Sequence, residues 1–178
     1  MCIRDRDSAI IFSDILMVPY ALNQKVEFLK NHGPKLENFN LNNFLKNNDI
    51  DFIEKLKPVY KAIEITRKKL NKEKSLISFI GAPWTLLVYM IGAKQDKNEI
   101  DLKIINKKKN EIELILEKLI NYLCLHIENQ VKAGADVIQI FDSWAGSIPQ
   151  EDLNDFCYSP NSQIVEFCKK KDIPVICF

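Results

Sequence analysis

Three short apolar runs constrain this chain more than anything else in it. Ala9-Ile10-Ile11-Phe12, Leu76 to Ile80 and Val137 to Phe141 are rich in β-branched and aromatic side chains. Each gives way at its C-terminal end to small or polar residues, namely Ser13-Asp14, Gly81-Ala82-Pro83-Trp84-Thr85 and Asp142-Ser143-Trp144-Ala145-Gly146. The first run is unbroken, the pattern of a strand covered on both faces, and reads as a central strand, while Ser78 and Gln139 are the single polar residues within the other two.

Helical patterns fill the gaps between the runs. Asp51-Phe52-Ile53-Glu54 has the spacing of a capping box, and Leu56, Val59, Tyr60, Ile63, Arg67 and Leu70 then recur at helical intervals. This predicts a helix over about 52–70, with Pro58 bending it or marking its first turn. Pro83 suits the first turn of a short helix carrying Trp84, Leu87, Val88, Tyr89 and Ile91. A longer helix over about 110–132 has Ile112, Leu116, Leu119, Leu123, Ile127 and Val131 on one stripe and Gly134 as its stop. Beyond it, Ser147, Pro149 and Glu151 open a further helix, Pro160 restarts it, and 173–178 supplies a fourth strand. Residues 20–50, rich in Asn and Lys around Gly33-Pro34, predict a loop excursion with room for a hairpin.

Strand and helix in alternation mean parallel strands with helical crossovers, hence an α/β fold. An open doubly wound sheet would call for a glycine-rich loop after the first strand, and Ser13-Asp14-Ile15-Leu16 has none. A (β/α)8 barrel needs eight strands, and about four can be read here. With 178 residues and 47% hydrophobic content the chain can bury one core, so a single domain is expected. Residues 1–7 fit no element and read as a non-native or disordered leader. A net charge of +1 with scattered lysines excludes bulk attraction to nucleic acid. No apolar run approaches the roughly 20 residues of a membrane span. Five cysteines without a C-x-x-C pair read as ordinary buried thiols of a reducing compartment, the cytoplasm.

Read from the residues alone, Asp14 serves equally well as a helix N-cap, a structural acceptor or a working carboxylate set against apolar surface. Tyr89 fits a core aromatic, and Ser143 a cap or turn residue. His126, in the middle of the long helix, reads as a structural histidine. His32 lies in a loop with no carboxylate or cysteine at metal spacing, so zinc is not expected. Lys107-Lys108-Lys109 reads as a solvated surface run.

Taken in order, certain segments resemble the uroporphyrinogen decarboxylase family over about residues 9–178. They are Ile11-Phe12-Ser13-Asp14-Ile15-Leu16 with Val18-Pro19 and Ala21-Leu22, then Gly33-Pro34, Gly81-Ala82-Pro83-Trp84-Thr85-Leu86 with Tyr89-Met90, Gly134-Ala135, and Gln139-Ile140-Phe141-Asp142-Ser143 with Ala145-Gly146. The resemblance implies a partial (β/α)8 TIM barrel of about four parallel strands, with residues 8–178 as the N-terminal half of one catalytic domain. It implies decarboxylation of the four acetate side chains of uroporphyrinogen III to coproporphyrinogen III, without metal or organic cofactor. It also implies a cytoplasmic enzyme, homodimeric at full length, with no nucleic acid or membrane partner. By position, Asp14 would bind substrate and stabilise the transition state, Tyr89 and Ser143 would bind substrate, and Ile10, Phe12 and Phe141 would form apolar wall. The family's RQAGRY-like arginine segment and C-terminal histidine have no counterpart among these residues, so the chain as given is expected to be inactive alone. Two other readings stand beside this one: a related barrel methyltransferase acting on corrinoids or thiols, and a non-catalytic tetrapyrrole-binding module.

Overall fold

The computed structural model describes residues 7–29, 33–94 and 99–178. The leader, Cys2 and His32 therefore lie outside the described residues, apart from Asp7. In chain order the elements are β1 (Ser8–Ile10), α1 (Met17–Ala21), β2 (Val26–Leu29), β3 (Gly33–Leu36), α2 (Leu41–Leu45), α3 (Asp49–Lys69) and β4 (Ser75–Gly81). There follow α4 (Pro83–Met90), α5 (Leu102–Lys107), α6 (Lys109–Lys132), β5 (Val137–Phe141), α7 (Ser159–Lys170) and β6 (Val175–Cys177). β2 and β3 form a separate antiparallel hairpin inside the loop excursion. The main sheet has four strands in the order β1-β4-β5-β6, all parallel, with Ala9 opposite Leu76, Phe79 opposite Gln139 and Gln139 opposite Ile176. Four parallel strands joined by helical crossovers are half the strand count of a (β/α)8 barrel.

Side chains alternate across each strand, and here the two faces have different fates. Leu76, Ser78 and Ile80 of β4 and Ile138 and Ile140 of β5 are at most 1% exposed. Helix α6 packs on β4 and against α3, α4 and α7, so this face of the sheet meets the helical layer. The other face carries a row of rings: Phe12 lies 5.6 Å from Phe79, Phe79 lies 5.1 Å from Phe141, and Phe141 lies 5.7 Å from Phe178, centroid to centroid. At its ends the row is bare, with Phe12 78% and Phe178 80% exposed.

This corrects the reading of the first run as a central strand. β1 pairs with β4 alone among the described residues, and it alternates exposed Ser8, half-buried Ala9 and exposed Ile10. An apolar run is required by any strand with one face on helices and the other inside a barrel, so the run itself does not distinguish an edge from a centre.

The long helices form for the reasons expected, with shifted ends. The N-cap of α3 is Asn48, whose side-chain oxygen accepts the Asp51 N–H at 3.0 Å while its amide donates to Asp51 Oδ2 at 2.8 Å. This reciprocal cap displaces the box expected from Asp51 by one turn. Pro58 sits well inside α3, on the same exposed face as Glu54, so the carbonyl it leaves without a donor faces water and the helix continues. In α6 the stripe Ile112, Leu116, Leu119, Leu123 and Ile127 is buried. Gly134 follows with φ +112°, and a Cβ there would lie 2.7 Å from Cγ of Arg67. The Arg67 guanidinium donates to the carbonyls of Lys74 (3.0 Å) and Asn71 (2.7 Å) and to Asp136 Oδ2 (2.7 Å). The same Asp136 oxygen accepts the Leu76 N–H at 2.7 Å. Arg67 thus ties α3 to the N-terminal ends of β4 and β5, the end of a parallel sheet that serves stability.

Between β5 and α7 the continuous helix expected from Ser147 is absent. Two 3₁₀ turns (Ala145–Ser147 and Gln150–Asp152) are interrupted at Pro149, whose ψ of 141° is extended, and a π-turn over Asn154–Tyr158 leads into α7. His126 is buried between α3 and α6 and shares a 3.0 Å hydrogen bond with the Tyr60 hydroxyl, which makes it structural as expected. Of the thiols expected to be buried, Cys157 and Cys168 are buried, Cys124 is half-buried and Cys177 is exposed on the edge strand β6. No helix among the described residues is long and apolar enough to cross a membrane.

Candidate active site

In parallel sheets of this kind, function gathers where the strands release their chains at the C-terminal end. Three segments leave the sheet side by side there: 11–16 after β1, Gly81-Ala82 after β4, and 142–146 after β5. The pairing of β4 and β5 extends to this rim, where the Ala82 N–H donates to the Phe141 carbonyl at 2.8 Å. A Cβ at Gly81 would lie 3.2 Å from Cβ of Ile15 and 2.9 Å from Cδ2 of Leu86. Glycine at 81 therefore lets the segment that carries Asp14 settle against the end of β4.

Asp14 is half-buried on this rim. Its Oδ1 accepts the Leu16 N–H at 2.9 Å and its carbonyl accepts the Met17 N–H at 3.0 Å, which starts α1. The structural role open to an aspartate at this position is thus filled by one carboxylate oxygen, while Oδ2 has no hydrogen-bond partner among the described residues. Two residues earlier Phe12 stands on the apolar row, as do Phe141 after it and Ile10 on the same face of β1. Those three residues lie together on the uncovered face.

Tyr89 is the last residue but one of α4 and is half-buried. Its ring meets Trp144 edge to face, with centroids 6.1 Å apart, and Lys94 Nζ lies 5.3 Å above its centroid. The ammonium is held by the electron-rich face of the ring, which adds a positive charge to the surroundings of the hydroxyl. Ser143 is exposed at the tip of the β5 turn, between Asp142 and Trp144. The structure so brings Tyr89 against the turn that carries Ser143 through Trp144, and places Asp14 after β1, with the end of β4 between it and that turn.

Several residues of this rim escape a reading of the sequence. Thr85, fully buried, donates from Oγ1 to Asp142 Oδ1 at 2.8 Å and accepts the Trp144 N–H at 3.2 Å. Asp142 Oδ2 accepts from Asn161 Nδ2 at 2.9 Å and from the Cys157 thiol at 3.3 Å. Burial first, and then the neighbouring carboxylate, push the Cys157 thiol up to about 11, so it stays protonated and can donate. Trp84 stacks on Phe156 at 5.1 Å and donates from Nε1 to the Trp144 carbonyl at 3.1 Å. The signal for this network in the sequence is only that Asp142 stands between two candidate residues. No group of three or more His, Cys, Asp or Glu side chains among the described residues is arranged to hold a metal ion.

The family profile described as Uroporphyrinogen decarboxylase (URO-D) matches residues 4–178. The chain belongs to the uroporphyrinogen decarboxylase family. Named uroporphyrinogen decarboxylases are similar to it: that of Orientia tsutsugamushi (strain Ikeda) is 44% identical, with 94% of this chain and 49% of the relative covered. That of Rickettsia bellii (strain RML369-C) is 39% identical, covering 97% of this chain and 52% of the relative. That of Campylobacter jejuni (strain 81116 / NCTC 11828) is 41% identical, covering 99% and 53%. The chain spans about half the length of the curated relatives it matches. Among solved structures, a methyltransferase from Methanosarcina mazei superposes with a TM-score of 0.67 at 18% identity, covering 96% of this chain and 50% of that one. At that identity the likeness speaks for the fold alone.

Proposed function

We propose that the protein to which this chain belongs is a uroporphyrinogen decarboxylase that converts the four acetate side chains of uroporphyrinogen III to methyl groups, giving coproporphyrinogen III without metal or organic cofactor. Residues 8–178 then form the first half of one (β/α)8 domain, in a homodimeric cytoplasmic enzyme. The observation that supports the reading is the family match over residues 4–178, in a chain that carries Asp14 after β1, Ser143 after β5 and Tyr89 against Trp144.

Loss of carbon dioxide from an acetate on a pyrrole leaves an electron pair that needs a sink. Protonation of the ring supplies one, because the iminium-like cation accepts the pair as the carbon–carbon bond breaks and carbon dioxide leaves; a proton then adds to the side-chain carbon in place of the carboxyl group, and the ring gives back the proton it took, which restores the pyrrole. An ionised carboxylate in an apolar cleft stabilises that cation and accepts hydrogen bonds from pyrrole N–H groups. Asp14 is suited to this, with Oδ1 anchored by the Leu16 N–H and Oδ2 uncommitted. Tyr89 and Ser143 offer hydroxyl donors to substrate carboxylates without adding charge. Ile10, Phe12 and Phe141 offer apolar wall to the macrocycle, which limits water around the reacting ring.

The test is anaerobic incubation of the product of the full reading frame with uroporphyrinogen III, followed by chromatography of the oxidised porphyrins. Stepwise appearance of seven- to four-carboxyl products is expected. Unchanged substrate from a folded protein would overturn the assignment.

A further inference from the structure

We propose that Thr85 and Asp142 form a positioning pair that fixes Ser143 and Tyr89 relative to one another at the substrate site. The proposal rests on reading those two residues as substrate-binding.

Hydrogen-bond direction makes the pair specific. The Thr85 oxygen accepts the Trp144 N–H, so its own proton is free to go to Asp142 Oδ1, at 2.8 Å. Asp142 and Trp144 are the two chain neighbours of Ser143, and both end on one buried hydroxyl. The turn is thereby closed into a small ring that leaves Ser143 outside and exposed. On the other side, Thr85 lies one helical turn before Tyr89, so the two share a face of α4. The Trp144 ring rests edge-on against Tyr89 and its carbonyl receives Trp84 Nε1 from the same helix.

Asp142 is held from behind as well. The π-turn over Asn154–Tyr158 and the start of α7 bring Cys157 and Asn161 onto Oδ2. Every partner of the carboxylate is a donor, namely a hydroxyl, a thiol and an amide N–H, which is the set an ionised carboxylate satisfies and an amide does not. A π-turn inside a helical segment is commonly spent on such a placement. Neither Thr85 nor Asp142 needs to touch substrate. Their effect is on the distance between the two hydroxyls that do.

The experiment compares Thr85→Val, Thr85→Ser and Asp142→Asn by two readouts. The first is hydrogen exchange of the Trp144 amide by NMR on the product of the full reading frame, which does not depend on activity. Exchange about fivefold faster or more is expected in Thr85→Val, where the acceptor is lost, and near the original rate in Thr85→Ser. The second is kcat and KM for uroporphyrinogen III in the product of the full reading frame. Displacing Ser143 and Tyr89 by about an ångström is expected to lower kcat/KM by roughly tenfold to a hundredfold in Thr85→Val and Asp142→Asn, with recovery in Thr85→Ser. A Trp144 amide indifferent to Thr85→Val, or equal kinetic loss in the serine and valine variants, would overturn the pairing. Should Thr85→Val fail to fold, Asp142→Asn against Thr85→Ser decides: kinetics of Asp142→Asn matching the unsubstituted protein would overturn it. An unsubstituted protein that does not decarboxylate at all would refute the proposed function instead, and the exchange readout would still judge the pair.

Discussion

Replacing His126 by glutamine should remove a defined part of the protein's sensitivity to acid. His126 is buried between α3 and α6, with the Tyr60 hydroxyl 3.0 Å from its Nδ1 and the Phe52 ring edge-on to it at 6.4 Å. Burial, with no carboxylate to offset it, pushes the imidazole down to about 3 from an ordinary value of 6.5. The folded chain therefore refuses a proton that the unfolded chain takes up below about pH 6.5. This contribution to stability is complete above that pH and declines as pH falls, at up to about 1.4 kcal/mol per pH unit, until the folded state too accepts the proton near 3. Between pH 7 and pH 5 the loss comes to about 2 kcal/mol, a large share of the stability of an ordinary domain. Glutamine is neutral throughout and can keep a hydrogen bond with Tyr60. Urea unfolding followed by Trp84 and Trp144 fluorescence at pH 7 and pH 5 measures both proteins. The stability of the unsubstituted chain should fall by about 2 kcal/mol more than that of His126→Gln. Other groups cancel in this difference, including His32 and the carboxylates. Parallel falls in the two proteins would refute the reasoning, whatever glutamine does to stability at pH 7.

Other consequences follow from particular contacts. Gly134→Ala places a methyl group 2.7 Å from Arg67 Cγ at a φ of +112°, and should cost about 1–3 kcal/mol or more in urea unfolding; an unchanged midpoint would contradict the packing described. Lys94→Ala takes a positive charge from above the Tyr89 ring, so with the proposed substrate, uroporphyrinogen III, KM in the product of the full reading frame should rise by about threefold to tenfold and depend less on salt, with kcat nearly unchanged. A pure kcat effect would argue against a binding role for that charge. The uncovered row from Phe12 to Phe178 should make the 178-residue chain enhance the fluorescence of an apolar dye under native conditions, and Phe12→Ser should reduce it with the far-UV spectrum intact. A dye-silent chain would mean that this face is covered.

The parts of the fold legible in the sequence are those set by local pattern. Leu76 to Ile80 and Val137 to Phe141 read as strands because short runs rich in β-branched and aromatic residues have few other uses, and α6 reads as a helix because its buried stripe from Ile112 to Ile127 repeats for about four turns. That β1 pairs on one side only among the described residues is not legible in the sequence, since pairing is a property of the neighbours and not of Ala9 to Phe12. The helix that Ser147, Pro149 and Glu151 predict is present only in irregular form, because the extended Pro149 separates two 3₁₀ turns and a π-turn over Asn154–Tyr158 leads into α7. Among the candidate residues, Asp14, Tyr89 and Ser143 are proposed through the family likeness. Thr85 and Asp142 are not legible as a pair, because a hydrogen bond across 57 positions leaves no local trace, and each alone looks like a helix residue or a turn residue.

The account turns on the charge of Asp14, and Asp14→Asn in the product of the full reading frame tests it most directly. The amide keeps an oxygen for the Leu16 N–H, so thermal unfolding should be nearly unchanged. On the proposed function it removes the negative charge that would face the protonated pyrrole, so kcat for the first decarboxylation of uroporphyrinogen III should drop by roughly a hundredfold or more. A folded Asp14→Asn protein that turns over at close to the original rate would contradict the central claim.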